Sequence, residues 1–190
     1  MEILDLREEQ LSTAIRAFSR RQILRLLAKQ ELTVNEIALK TKQSKSLASK
    51  HLALLYNSGF LQAKLKSPYK YYSLKNKQIE QFLIKYDQTV SSLSSSSTNS
   101  LQELEIKLSQ AISALSRRQI LRFLAEKELT VNEVASLTGI TKSLASRHLK
   151  LLFEFGFLEA KVQSPFKYYS LRIKKMKILL EEYDQIIEKL

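Results

Sequence analysis

Apolar residues recur along this chain at alternating spacings of three and four, in two blocks that are nearly the same. In the second block Leu101, Leu104, Leu108, Ala111, Ile112 and Leu115 form one helical stripe. Leu4, Leu11, Ala14, Ile15 and Phe18 form its counterpart in the first. Ile23, Leu24 and Leu27 then predict a second helix over Ser19–Ala28, with Ser19 as its cap. Thr33 followed by Glu36 has the S/T-x-x-E spacing of a capping box, so a third helix is expected from about Val34. Thr130 and Glu133 repeat that signal. A fourth helix is expected within Ser44–Gly59, SKSLASKHLALLYNSG, where Leu47, Ala48, His51, Leu52 and Leu55 share one face. Its partner is Thr141–Gly156, TKSLASRHLKLLFEFG. After Gly59 the period changes from helical to alternating. Phe60–Leu74, FLQAKLKSPYKYYSL, reads as two short strands around Ser67-Pro68. A last helix is expected from about Lys77 to Val90, with Ile79, Phe82, Leu83 and Tyr86 inward. The other, from about Lys174 to Leu190, carries Met176, Leu179, Leu180, Tyr183, Ile186 and Ile187.

The two blocks are a tandem duplication. At an offset of 97, 38 of the 56 positions from Ser19 to Leu74 are identical to Ser116–Leu171, and mismatches such as Leu26/Phe123, Ile37/Val134, Lys50/Arg147 and Tyr69/Phe166 are mild. The order helix, helix, helix-turn-helix, hairpin, helix is that of a winged helix. The expected fold is mainly α with small β-hairpin wings: one winged helix-turn-helix domain at 1–90, a Ser-rich linker at 91–100, and a second domain at 101–190. The linker, SSLSSSSTNS, is uncharged. As a flexible coil it would span ~17 Å on average and ~35 Å fully stretched. That reach suits two modules packed as an intramolecular pseudo-dimer better than two independent beads.

Charge says what such a pair could hold. A hydrophobic share of 44% is enough for a core, but the net charge of +12 directs the chain towards polyanions. Lys and Arg outnumber Asp and Glu by 16 to 8 in residues 1–97 and by 15 to 11 afterwards. Nine lysines and no acidic residue fall between Glu36 and Glu80. On the fourth helix the outer face is left to Ser44, Lys45, Ser46, Ser49, Lys50 and Ala53. Short hydroxyls and cations without a carboxylate suit the groove of double-stranded DNA, so this is expected to be a recognition helix, present twice. Base-edge contacts are expected from Lys45, Ser46, Ser49 and Lys50, and from Lys142, Ser143, Ser146 and Arg147. Ser44, Thr141 and Lys150 complete the two DNA-facing surfaces. Lys64, Lys66 and Lys70 on one wing, with Lys161 and Lys167 on the other, are expected at phosphates or the minor groove. Nearly matching faces predict a near-palindrome with half-sites ~34–36 Å apart. The differences Lys50/Arg147, Ala53/Lys150 and Lys66/Gln163 allow some asymmetry between its halves.

Other chemistries find little support. With no cysteine, disulfides, thiolate metal sites and thiol redox switching are excluded. No apolar run approaches the ~20 residues of a membrane span. The opening MEILDLREEQ does not read as a signal peptide, so a cytoplasmic, nucleoid-associated location is expected. His51 and His148 have no partners at ligand spacing and are expected to bridge the core to a backbone or phosphate contact. Tyr71/Tyr72 and Tyr168/Tyr169 could stack on bases, but alternation along a strand turns one of each pair inward. There is no Gly-rich phosphate loop or catalytic triad, so no enzyme, catalytic residue or cofactor is expected.

The segments R-x-x-IL-x-x-L from Arg20/Arg21 to Leu27, LTVNEIA, S-x-S-L-A-S-x-HL-x-x-L and KYYSL together resemble the ArsR/SmtB-type transcriptional regulators. The resemblance covers almost the whole of each repeat. It implies a homodimer built from the first and last helices, with paired recognition helices in successive major grooves; here the duplication would supply both protomers. In metal-sensing members the ligands are Cys and His on the third and last helices. Thr33, Asn35, Thr130 and Asn132 stand where thiolates would be needed, and the last helices hold no histidine, only carboxylates such as Glu80, Asp87, Glu181, Glu182 and Asp184. The expected function is therefore a sequence-specific DNA-binding regulator, a repressor, that does not sense metal. It would act as a monomeric pseudo-dimer, with higher oligomers left open. The alternative is a non-specific architectural or partner-binding module; a membrane-surface role ranks third.

Overall fold

The computed structural model describes residues 2–94 and 99–189, with side chains from Leu6 onward. The chain is mainly helical, with two small three-stranded antiparallel sheets. It divides into two compact units, one holding the chain up to Ile84 together with its end from Glu182, the other running from Lys85 to Glu181. No helix among the described residues is long and apolar enough to cross a membrane.

In the first unit, α1 (Glu2–Arg16) and α2 (Phe18–Leu27) are separated by a single extended residue, Ala17, at φ −86° and ψ 130°. Ser19 was expected to cap α2 but lies inside it; the cap is Ala17, whose side chain makes no capping hydrogen bond. The junction is closed from the other side. Arg21 is fully buried, and its Nη1 donates to the Ile15 carbonyl at 2.6 Å and to that of Arg16 at 3.2 Å, while Arg20 Nε donates to the Thr13 carbonyl at 2.9 Å. These are the carbonyls left without partners at a helix C-terminus, where a cation also meets the negative end of the helix dipole.

Short β1 (Leu32–Thr33) leads into α3 (Val34–Thr41), which begins with the predicted capping box. Thr33 Oγ1 accepts from the Glu36 amide at 3.3 Å, and the Glu36 carboxylate accepts from the Thr33 amide at 2.7 Å. Helix α3 ends at Lys42, in the left-handed conformation at φ 55°. Next come α4 (Lys45–Asn57), then β2 (Leu61–Lys66) and β3 (Tyr69–Leu74), paired in register from Leu61↔Leu74 to Lys66↔Tyr69. Gly59, at φ 79°, makes the turn between helix and strand. The hairpin is as expected; β1, which adds to its outer edge as Leu32↔Tyr72 and Thr33↔Tyr71, is not. The unit is completed by the start of α5 (Lys77–Ser94) and the end of α10 (Lys175–Lys189). There Tyr183 is buried, its hydroxyl donates to the Glu8 carbonyl at 3.4 Å, and Arg7 donates to the carbonyls of Ile187 and Glu188, each at 3.2 Å.

The second unit repeats the plan with α6 (Leu101–Ser113), α7 (Leu115–Glu126), β4 (Leu129–Thr130), α8 (Val131–Thr138), α9 (Lys142–Glu154), β5 (Leu158–Gln163) and β6 (Phe166–Leu171). Leu104, Leu108, Ala111 and Ile112 are buried as the stripe predicts, but Leu101 is 62% exposed and Leu115 is exposed as well. Leu101 is the first residue of its helix. Leu115 lies beyond the extended break at Ala114 (φ −102°, ψ 129°), where the helical phase restarts. Arg118 is buried like Arg21, and its Nη1 donates to the Ile112 carbonyl at 2.8 Å. In this unit Tyr86 of α5 is buried and donates to the Glu105 carbonyl at 2.8 Å.

Helix α5 runs four residues past its expected end, through Ser94. Val90 and Leu93, both buried, extend its apolar stripe into the serine run. The hydroxyls of Ser91 and Ser92 turn back onto the carbonyls of Asp87 and Gln88, so these serines fit the helix. Ser100 begins α6 with a capping box to Glu103. Of the expected linker, residues 95–98 lie outside the described residues.

Candidate nucleic-acid interface

Helix α4 begins at Ser44, whose hydroxyl accepts from the Leu47 amide at 3.2 Å. Thr141 does the same for Leu144 at the start of α9, at 3.3 Å. Ala48, Leu52 and Leu55 are buried beneath α4, as are Ala145, Leu149 and Leu152 beneath α9. With those faces fixed, Ser44, Lys45, Ser46, Ser49, Lys50 and Ala53 are exposed, and so are Thr141, Lys142, Ser143, Ser146, Arg147 and Lys150. Every expected recognition-helix residue thus lies on the outer face. Leu47, expected inside, is 42% exposed. It occupies the first turn, at the margin of the buried stripe.

His51 and His148 are half-buried behind these faces. Burial first, then the Arg20 charge, holds the His51 imidazole below its ordinary value; for His148 burial leads, with Arg117 and Arg147 adding to it. Both shifts favour the neutral imidazole.

The wing departs from expectation in its pairing. Lys66 Nζ lies 2.7 Å from the Glu31 carboxylate and Lys64 Nζ 3.6 Å from it. The hydrogen-bonded Lys66 ammonium pulls Glu31 below the usual carboxylate range, and Glu31 raises Lys66 in turn. Thus an acid just before the cation-only interval faces two of its lysines. The pair is exposed and weak. Gln163 stands at the place of Lys66 in the other copy, and Lys161 there is exposed.

Lys70 also differs from the simple phosphate-contact picture. Its ammonium lies 5.1 Å from the ring centre of Tyr56, in the last turns of α4, and 5.3 Å from that of Tyr72 on β3. Lys167 repeats this between Phe153 and Tyr169, at 5.3 and 5.2 Å. Cations at such distances over ring faces are attracted to both, so each of these lysines braces the wing against the recognition helix. Tyr71 and Tyr72 are both half-buried; in the second copy Tyr169 is buried and Tyr168 half-buried. Sequence reasoning missed Glu31, the brace rings Tyr56 and Phe153, and the capping role of Arg21 and Arg118. Each left the same trace in the sequence, a recurrence at an offset of 97: Glu31 as Glu128, Tyr56 as Phe153 and Arg21 as Arg118. Among the described residues, no group of three or more His, Asp or Glu is placed to hold a metal ion.

Two helix-turn-helix units, each followed by a hairpin wing, define a tandem winged helix-turn-helix protein. The family described as "Bacterial regulatory protein, arsR family" matches the chain twice, over residues 19–63 and 116–160. The chain is thus an ArsR-like tandem duplication of a winged helix-turn-helix DNA-binding domain, of the kind that transcription regulators of that family carry. Among solved structures it is similar to HlyU from Vibrio cholerae, at 26% identity over 45% of this chain and 92% of that one, with a TM-score of 0.41. It is also similar to the homodimeric winged helix-turn-helix domain of Mb0332 from Mycobacterium bovis (26% identity, 47% and 82% coverage, TM-score 0.43). The transcriptional repressor BigR from Xylella fastidiosa is a third such structure (26%, 42% and 82%, TM-score 0.40). No curated protein sequence gives a significant match.

Proposed function

We propose that the chain is a sequence-specific repressor that reads a near-palindromic DNA site with both recognition helices of one molecule. The observation that carries this reading is the pair of exposed outer faces on α4 and α9, each free of carboxylates from its cap to Lys50 or Lys150. Lys45, Ser46, Ser49 and Lys50, with Lys142, Ser143, Ser146 and Arg147, meet base edges. Ser44, Thr141 and Lys150 flank them, Lys64, Lys66 and Lys161 meet the backbone, and Lys70 and Lys167 hold the wings in place for that contact. The domains are 1–90 and 101–190, joined by 91–100, and form one pseudo-dimer. In support, the unit holding α4 includes the end of α10, and the unit holding α9 includes the end of α5. Occupancy of a long DNA segment excludes other proteins from it, so repression is the expected outcome. Metal does not release the protein, since Thr33, Asn35, Thr130 and Asn132 offer no thiolate. It acts in the cytosol, on the nucleoid.

Selection of bound sequences from a random DNA pool tests the reading. The expected result is two related half-sites ~34–36 Å apart, centre to centre, with affinity falling by a log–log salt slope of about −0.9 per phosphate contacted. A pool without a consensus, or loss of the selected duplex to bulk random DNA, would establish the architectural alternative.

A further inference from the structure

The most exposed apolar side chains of both wings crowd their tips. Leu65 is 78% exposed and Tyr69 52%; in the second copy Val162 is 73% exposed and Phe166 49%. They do no core work. The register pairs Leu65 with Lys70 on one face of the ribbon and Tyr69 with Lys66 on the other, so the tip is apolar on both faces. The second wing has the same arrangement, Val162 opposite Lys167 and Phe166 opposite Gln163. At both tip positions the copies differ in residue but not in character, Leu to Val and Tyr to Phe. The turn between them is only Ser67-Pro68 or Ser164-Pro165, narrow and uncharged. Behind each tip stand cations: Lys64, Lys66 and Lys70 on one wing, Lys161 and Lys167 on the other.

An apolar point with a cationic collar fits a groove whose floor is base edges and sugar and whose rims are phosphates. We infer that Leu65, Tyr69, Val162 and Phe166 are wedge residues that enter the DNA minor groove and open a base step there. Apolar side chains used in this way partly unstack the step and kink the duplex towards the major groove. Pyrimidine–purine steps open most readily, so the wings select TA or CA/TG steps at positions that α4 and α9 do not touch. The cation–π brace at Lys70 and Lys167 holds each wing to its recognition helix, which keeps the kinked step at a set distance from the half-site. This inference rests on the DNA-binding reading and adds to it a bent complex and a second source of specificity.

The test uses the full chain and the duplex selected from the random pool, with dyes at its ends to report bending by energy transfer. The wild-type chain shortens the end-to-end distance. The double variant Leu65→Ser and Val162→Ser is expected to bind about tenfold more weakly and to leave the duplex straighter. Its salt slope should match wild type, because no cation has been removed. Replacing the TA or CA/TG step by a stiff A-tract should weaken the wild type and not the variant. Should the variant bind and bend DNA like the wild type, or differ from it only in self-association, the wedge is overturned while the DNA-binding reading stands. Should the wild-type chain bind no DNA, both fall together.

Discussion

At the scale of single residues, the two copies serve as controls for each other. Helix α3 ends on Lys42 in the left-handed region at φ 55°, and α8 ends on Gly139 at φ 69° in the equivalent place. A side chain in that region costs roughly 1–2 kcal/mol, which glycine avoids at the expense of greater freedom in the unfolded chain. Lys42→Gly should therefore stabilise by about 0.5 kcal/mol and raise Tm by ~1–2 °C. Gly139→Ala should lower Tm by ~2–4 °C, a loss of about 1 kcal/mol. Because a Cβ at Gly139 meets nothing within 4 Å, that loss is backbone strain alone. Thermal unfolding followed by circular dichroism measures both. A fall in Tm for Lys42→Gly would refute the account, as would a far larger loss for Gly139→Ala.

At the scale of elements, what was legible in the sequence was what a few adjacent residues decide. Thr33 with Glu36 marks the start of α3 because both halves of a capping box lie within one turn. The buried triad Ala48, Leu52 and Leu55 is equally local. The start of α2 was misread because its cap is an alanine, which carries no signature, and because the arginines closing the junction act on carbonyls up to seven residues back. Strand β1 has two residues, too few for a period, and exists through its pairing with Tyr71 and Tyr72. Glu31 lies 35 positions from Lys66, so no window of sequence joins them. The Lys70 brace is hidden for the same reason, and it yields a prediction. If Lys70 positions the wing through Tyr56 and Tyr72, then Lys70→Met should leave the salt slope of DNA binding unchanged, speed amide exchange in β2 and β3, and weaken binding by about threefold to tenfold. Lys70→Arg should restore slow exchange, since a guanidinium also stacks on rings. A salt slope shallower by ~0.9 with exchange unchanged would mean that Lys70 is a phosphate contact and no brace.

At the scale of the whole chain, the compact units do not follow the repeat. The unit that contains α4 includes Tyr183, Ile186 and Ile187, residues of the second copy; the unit that contains α9 includes Tyr86 and Val90, residues of the first, and Leu93 at the start of the serine run that follows it. All six are buried. Each such burial is worth about 1.5–3 kcal/mol, so a copy parted from the other would lose apolar cover from its own core and also expose the residues it lends. That defines what the serine run is for. If it only tethers, a protease site placed within it and cut should release nothing: the nicked chain should elute from a size-exclusion column with the intact one at micromolar concentration, and its DNA affinity should stay within about twofold. The tether's contribution should appear on dilution, because a linker of this length sets an effective concentration in the millimolar range. The nicked chain should then lose DNA binding at nanomolar concentrations where the intact chain keeps it. Halves that part at micromolar concentration would show that each copy folds by itself and that the pseudo-dimer is wrong. Equal binding by nicked and intact chains at every concentration would show that the halves hold together without the tether, leaving the duplication to fix only which two recognition helices share a site.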